Sequence, residues 1–164
     1  MSKKAFLHCS DSTHGCAVVI DAWHEARNFS SPSYPDVNIG YHAVVLNGRP
    51  YPKEYNPFFD GMVEAGRSAK DKGAHVRGYN SHFGICLIGK DEFTISQFLS
   101  ARALLKSRGF KPSEIKGHYE VDKHKTCPNI NMDAFREFYK TGNLRLMLPW
   151  IKRNDHQFLR YITL

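Results

Sequence analysis

The sequence has no apolar run long enough to cross a membrane or to form the core of a signal peptide. A membrane-spanning helix needs about 20 apolar residues, and no segment approaches that length. Between the first lysines and His8 stand only Ala5, Phe6 and Leu7, far fewer than the roughly 7 to 15 apolar residues of a signal-peptide core. We therefore expect synthesis in the cytoplasm, without a secretory leader or a membrane anchor.

Repeats, low-complexity segments and linkers are missing as well. The 8 prolines and 12 glycines are dispersed along the chain, as turn residues are, rather than gathered in one stretch. Only 4 cysteines occur in 164 residues, and 41% of the residues are hydrophobic. A chain of this size can bury a core without a disulfide framework. These features predict one domain with reduced thiols, one of which is available as a metal ligand.

The charge is strongly positive and widely spread. The formal net charge is +7 and the sequence pI is about 9.3. Such a surface attracts polyanions, which include nucleic acid, anionic lipid head groups and anionic cell-wall polymers. The charge does not choose among these partners, because the basic residues form a dispersed solvated face rather than one basic arm.

Strand-like and helix-like segments alternate along the chain, which predicts an α/β domain with a central sheet flanked by helices. The run of residues 84–89 is apolar throughout and bounded by glycines, a pattern typical of a central strand covered on both faces. Oxygen-bearing side chains at residues 10–13 are placed to cap a first helix that ends near Arg27, and Ser96 stands near the start of a second. The predicted strands are residues 4–9, 42–46, 62–65, 84–89 and 115–117, and the two later helices are residues 95–105 and 132–139.

Two segments fall outside this alternation. Asn47-Gly48 is a strong hairpin signal, and after it residues 50–61 predict an ordered surface insertion. That insertion carries an exposed aromatic group of Tyr51, Tyr55, Phe58 and Phe59. Residues 144–164 are too apolar for a solvated linker, so we expect them to pack on a domain that covers residues 1–143.

Three side chains are candidates for one metal site: His8 and His118, each at a predicted strand end, and Cys127, which is separated from His118 by eight residues. Two imidazoles and a thiolate suit zinc, and three protein ligands leave a fourth position for water. The spacing alone is also compatible with purely structural roles. His8 would then be a core histidine, His118 a turn residue and Cys127 a small buried side chain.

Six short segments, spread from Phe6 to about residue 139, together resemble the type 2 N-acetylmuramoyl-L-alanine amidases, a family that includes phage amidase-lysozymes and peptidoglycan recognition proteins. The segments are FLHCS at 6–10, GYH at 40–42, EAGR at 64–67, GAHVRGYNSHFGICLIG at 73–89, GHYEV at 117–121 and KTCP at 125–128. This resemblance implies a single domain built on a mixed β-sheet.

The resemblance also implies zinc bound by His8, His118 and Cys127. It places a catalytic tyrosine at Tyr41 and a catalytic lysine at Lys125. The loop between the last two ligands is one residue longer than in the phage members most like this chain. His124, which lies in that loop, is therefore a rival ligand.

His75 and Asn80, in the glycine-flanked loop before the central strand, are expected to contact substrate, although loop capping or packing explains them equally well. The implied function is hydrolysis of the bond between N-acetylmuramic acid and L-alanine in peptidoglycan by a phage or prophage endolysin that reaches the wall after membrane disruption. Alternatives are a non-catalytic peptidoglycan-binding module, a cytoplasmic amidase that recycles wall fragments, and a side interaction with a polymerase or nucleic acid. The cysteine ligand, which non-catalytic members lack, favours catalysis.

Overall fold

The computed structural model describes residues 3–155, which form an α/β domain around one mixed five-stranded sheet. The strands are β1 (Ala5–Cys9), β2 (Ala43–Asn47), β3 (Asp60–Ala65), β4 (Phe83–Leu87) and β5 (Ile115–Gly117), and the α-helices are α1 (Ala17–Glu25), α2 (Ile95–Ser107) and α3 (Met132–Thr141). In the order β3-β2-β4-β1-β5, only β3 runs antiparallel to its neighbour. The predicted fold class is confirmed, and β4 is the central strand as expected.

The sheet is covered on both faces because its inner strands alternate two apolar sets. Leu7, Val45 and Ile85 belong to one core cluster, which also contains buried residues of α2 and α3. Val44 and Cys86 belong to the second cluster, together with the buried side of α1. Side chains alternate between the two faces of a strand, so these inner strands carry a helix layer on each side.

The start of the first helix differs from the prediction. Helix α1 begins only at Ala17, and its N-cap residue makes no side-chain cap bond. Ser10 bonds instead to Ser12 and across the sheet to Gly89, while a carboxylate oxygen of Glu64 accepts the Ala17 N–H at 2.6 Å. Helix α2 begins at Ile95 as predicted, and Thr94 caps it in a capping box.

The hairpin predicted at Asn47-Gly48 exists, but its connection is long. Asn47 pairs with Asp60, so residues 48–59 form the loop between β2 and β3. Tyr51, Tyr55 and Phe58 of this insertion are exposed, as the sequence predicted. The prediction was wrong for Phe59, which is partly buried because it packs against the second core cluster.

The C-terminal segment packs on the domain as far as it is described. A 3₁₀ helix covers Leu144–Trp150, and Leu144, Met147 and Ile151 are buried in the first core cluster. The predicted packing of Phe158, Leu159, Tyr161 and Ile162 lies outside the described residues, and a boundary at residue 143 stays a prediction. Between residues 3 and 155, no helix is both long and apolar enough to cross a membrane.

Candidate metal centre and active site

The three predicted metal ligands meet at the carboxyl edge of the sheet. Strands β1 and β5 are parallel with Leu7 opposite Gly117, so the next residues, His8 and His118, stand side by side with ring centroids 5.0 Å apart. The loop after β5 returns Cys127 to the same place. One ligand atom from each of the three side chains lies within 4.8 Å of the others.

The donor set fits zinc in both chemistry and spacing. Zinc prefers imidazole nitrogen at about 2.05 Å and thiolate sulfur at about 2.3 Å in tetrahedral geometry, which separates the two donor atoms by about 3.6 Å. His8 Nδ1 and Cys127 Sγ are 3.6 Å apart. The two histidines and one cysteine are therefore three donors that could hold one metal ion.

A short 3₁₀ turn, His118–Glu120, holds the second ligand. A carboxylate oxygen of Glu120 accepts the Gly117 N–H at 2.8 Å and pairs with Arg136 of α3 at 3.0 Å. The Tyr119 N–H donates to the Cys127 carbonyl at 3.0 Å, which ties the His118 turn to the third ligand.

The sulfur of Cys127 is held by the backbone of the first strand. The Cys9 N–H donates to Cys127 Sγ at 3.2 Å, which favours a thiolate. The neighbouring Cys9 thiol and burial raise the pKa of Cys127, so without a cation the thiol stays protonated. A bound cation reverses that balance, because coordinated thiols lose their proton.

His8 is buried with an exposed fraction of 1%, and a second histidine stands behind it. His8 Nε2 lies 3.1 Å from His75 Nδ1, and His75 Nε2 lies 3.1 Å from the His82 carbonyl oxygen. Burial lowers the pKa of His8, with smaller effects from His75 and His118. Burial likewise lowers the pKa of His75 to about 3. Both rings are therefore neutral at neutral pH.

The two predicted catalytic side chains face the same cleft. The Tyr41 ring lies 5.1 Å from the His8 ring, and burial raises the pKa of its phenol, so the hydroxyl keeps its proton at neutral pH. Lys125 is exposed on the cleft rim. Burial lowers the pKa of His118, and the positive charge of Lys125 lowers it further.

The loop residues predicted to contact substrate also have structural partners. The Asn80 side-chain oxygen accepts the backbone N–H groups of His75 and Val76, both at 2.8 Å, and thereby closes the loop. His75 points towards His8 as described above. Both residues border the cleft, and their contact with substrate stays a prediction. His124, the rival ligand, is exposed on the rim, outside the cluster of three donors.

The cleft has a volume of about 820 Å³, and several of its residues were not singled out in the sequence. His24 of α1 accepts the Gly40 N–H through Nδ1 at 2.8 Å, and its ring lies 5.3 Å from the Tyr41 ring at a tilted angle. Three further cationic side chains lie on the cleft rim: Arg27, Arg77 and Lys90. One of them, Arg77, could have been noticed, because it lies between His75 and Asn80 in the glycine-flanked loop. Two carboxylates, Asp11 and Asp122, also line the cleft.

Comparisons with known proteins identify the family of the chain. No protein-family model matches the chain. The chain is, however, 30% identical over 153 residues to an endolysin of Enterobacteria phage K11, a match that covers 85% of this chain and 86% of that protein. The chain belongs to the type 2 N-acetylmuramoyl-L-alanine amidase family.

Two solved structures show the fold of this amidase family in the chain. The first is the N-acetylmuramoyl-L-alanine amidase LysC from Clostridium intestinale, with a TM-score of 0.63 and 21% identity over 84% of this chain and 85% of the other. The second is a Drosophila peptidoglycan recognition protein, PGRP-LB, in complex with tracheal cytotoxin, with a TM-score of 0.57 and 21% identity over 77% of this chain and 75% of the other.

Proposed function

We propose that the protein is a zinc-dependent N-acetylmuramoyl-L-alanine amidase that acts as a phage or prophage endolysin. The observation that carries this proposal is the convergence of His8, His118 and Cys127 in one open cleft that also contains Tyr41 and Lys125. The substrate is the amide bond between the lactyl group of N-acetylmuramic acid and L-alanine in bacterial peptidoglycan.

His8, His118 and Cys127 would hold the zinc ion, which would supply Lewis-acid chemistry for the carbonyl and a water of lowered pKa. The protonated Tyr41 hydroxyl orients the attacking water or the carbonyl by hydrogen bonding. The Lys125 ammonium group stabilises negative charge on the carbonyl oxygen as water adds. The C–N bond then breaks and the leaving nitrogen takes up the two protons of the added water, so the products are a lactyl carboxylate and a free, protonated L-alanine amino group.

The cationic rim supports attraction to an anionic wall. Arg27, Arg77, Lys90 and Lys125 outnumber the two carboxylates among the residues that line the cleft. Fields of one sign in a cleft raise the local concentration of an oppositely charged substrate. Synthesis in a bacterial cytoplasm, followed by action on the wall after the membrane is breached, completes the proposal.

Digestion of purified peptidoglycan tests the reaction. We expect release of stem peptides with a free L-alanine amine, loss of that release after chelation, and recovery when zinc is added. A Cys127→Ser variant is the control that keeps the shape of the side chain but weakens zinc binding. Wall binding without peptide release would favour the binding-module alternative, and cleavage of soluble fragments but not of intact wall would favour a recycling amidase.

A further inference from the structure

His75 offers its polar groups to the protein, and its ring connects the first metal ligand to a backbone carbonyl. Nδ1 lies 3.1 Å from His8 Nε2, and Nε2 lies 3.1 Å from the His82 oxygen. The backbone N–H is bound by Asn80. The exposed fraction of His75 is only 8%. These contacts leave few ways to arrange the protons of the two rings.

The carbonyl oxygen of His82 decides that arrangement. A carbonyl can only accept, so His75 Nε2 carries the hydrogen and donates it. In a neutral ring the other nitrogen, Nδ1, then has no hydrogen and accepts. The donor to His75 Nδ1 is therefore His8 Nε2–H, which leaves the lone pair of His8 Nδ1 free on the side that faces Cys127 Sγ.

Two glycines make the space in which the His75 ring lies. A Cβ atom at Gly73 would stand 2.4 Å from His75 Cδ2, and one at Gly84 would stand 2.7 Å from the same atom. Gly84 is part of the central strand β4 and is paired with Phe6 of β1. The ring is thus seated against the sheet directly behind His8, and its position does not depend on the surface loop alone.

We infer that His75 is a positioning residue that selects the metal-binding tautomer of His8. Its role is to hold the hydrogen on His8 Nε2 and to present Nδ1 to the cation. Ring nitrogens that bind metals commonly have their partner nitrogen fixed in this way, and loss of such a partner typically weakens metal binding by about 10- to 100-fold. The inference rests on the proposed function only in that it takes His8 to be a metal ligand.

Three variants test this role. His75→Phe keeps a planar ring in the space beside Gly73 and Gly84 but removes the Nδ1 atom that accepts the hydrogen of His8 Nε2. His75→Gln returns one acceptor and one donor to the gap between His8 and the His82 carbonyl. His82→Phe is the matched control, because it removes a nearby histidine ring and leaves the backbone carbonyl in place.

Two measurements are made on the full chain: the zinc dissociation constant by competition with a chelator, and the protonation of the His8 nitrogens by ¹⁵N-detected NMR of the metal-free protein. We expect His8 to carry its hydrogen on Nε2 in the unmodified protein and to lose that preference in His75→Phe. Zinc binding should weaken by about 10- to 100-fold in His75→Phe, should largely recover in His75→Gln, and should change less than about twofold in His82→Phe.

Hydrogen on His8 Nδ1 in the unmodified protein would overturn the inference. So would unchanged zinc affinity in His75→Phe. If the unmodified protein bound no zinc, the proposed function would fail, while the spectrum of the metal-free protein would still decide the tautomer.

Discussion

The carboxylate of Glu120 holds the turn that carries the ligand His118, and its removal should weaken both the fold and the metal site. Glu120→Ala deletes the acceptor for the Gly117 N–H, now bound at 2.8 Å. It also deletes the partner of Arg136 at 3.0 Å, where the exposed fractions of the two side chains are 18% and 20%. Arg136 keeps its bonds to Ile115 and Asp133.

The size of the effect follows from these contacts. Hydrogen bonds to charged groups contribute roughly 1.5 to 3 kcal/mol each, but water replaces part of each bond at a partly exposed site. We therefore expect the free energy of unfolding to fall by about 2 to 3 kcal/mol, or by roughly 4 to 12 °C in Tm. Because the lost bond fixes the residue just before His118, zinc binding should weaken about tenfold.

Glu114→Ala is a matched control for this experiment. Its carboxylate accepts the Lys111 N–H at the same 2.8 Å and the same sequence spacing, but it forms no ion pair within residues 3–155 and lies next to no ligand. Thermal unfolding and chelator competition should show a loss below about 1 kcal/mol and unchanged zinc affinity. Similar losses in the two variants would refute the assignment of Glu120 to the His118 turn.

Four further outcomes are expected from the active-site geometry. Tyr41→Phe and Lys125→Ala should sediment with peptidoglycan and keep their zinc yet cleave about a hundredfold or more slowly, and normal cleavage by either would remove that residue from the mechanism. His118→Ala should lose zinc while His124→Ala keeps most of it; equal losses, measured by metal analysis, would reverse the choice of ligand. Burial, together with the charges of nearby arginines, lowers the pKa of His24 to about 4. The folded state therefore binds fewer protons than the unfolded state between about pH 4 and 6.5, and stability falls with acidity there by up to about 1.4 kcal/mol per pH unit. A His24→Gln variant should show a correspondingly flatter dependence in urea unfolding at several pH values, and an unchanged slope would contradict the shift. Added salt should reduce activity on whole sacculi more than activity on a small neutral fragment, and identical salt profiles would argue against attraction by the cationic rim.

The sheet was predictable because its inner strands are short apolar runs bounded by turn residues. Ile115–Gly117 was predicted at its observed bounds, and the central position of residues 84–89 follows from their apolar character on both faces. The start of the first helix was harder to predict, although α2 and α3 begin at the predicted residues. The N–H of Ala17 is satisfied by Glu64, which is distant in sequence, so the local capping pattern at residues 10–13 was misleading.

The ligand cluster could not be predicted from local sequence patterns alone. Spacing alone left several combinations of histidine and cysteine open, and the family resemblance selected the three residues that the structure brings together. The contact between His8 and His75 joins residues 67 positions apart. The hydrophobic periodicity of the sequence does not predict such a contact. The contact depends on the pairing of β1 with β4 and on two glycines that leave room for the His75 ring.

The wide separation of the ligands along the chain also affects synthesis and turnover. His8 and Cys127 are 119 positions apart, so a cation held by both closes a loop that contains most of the domain and acts as a removable cross-link. A nascent chain cannot form the centre until Cys127 has emerged from the ribosome, and fragments that end before it have lost a ligand. Because ligands that bind only the folded state stabilise it, we expect a cation bound by His8 and Cys127 to slow proteolysis of the chain.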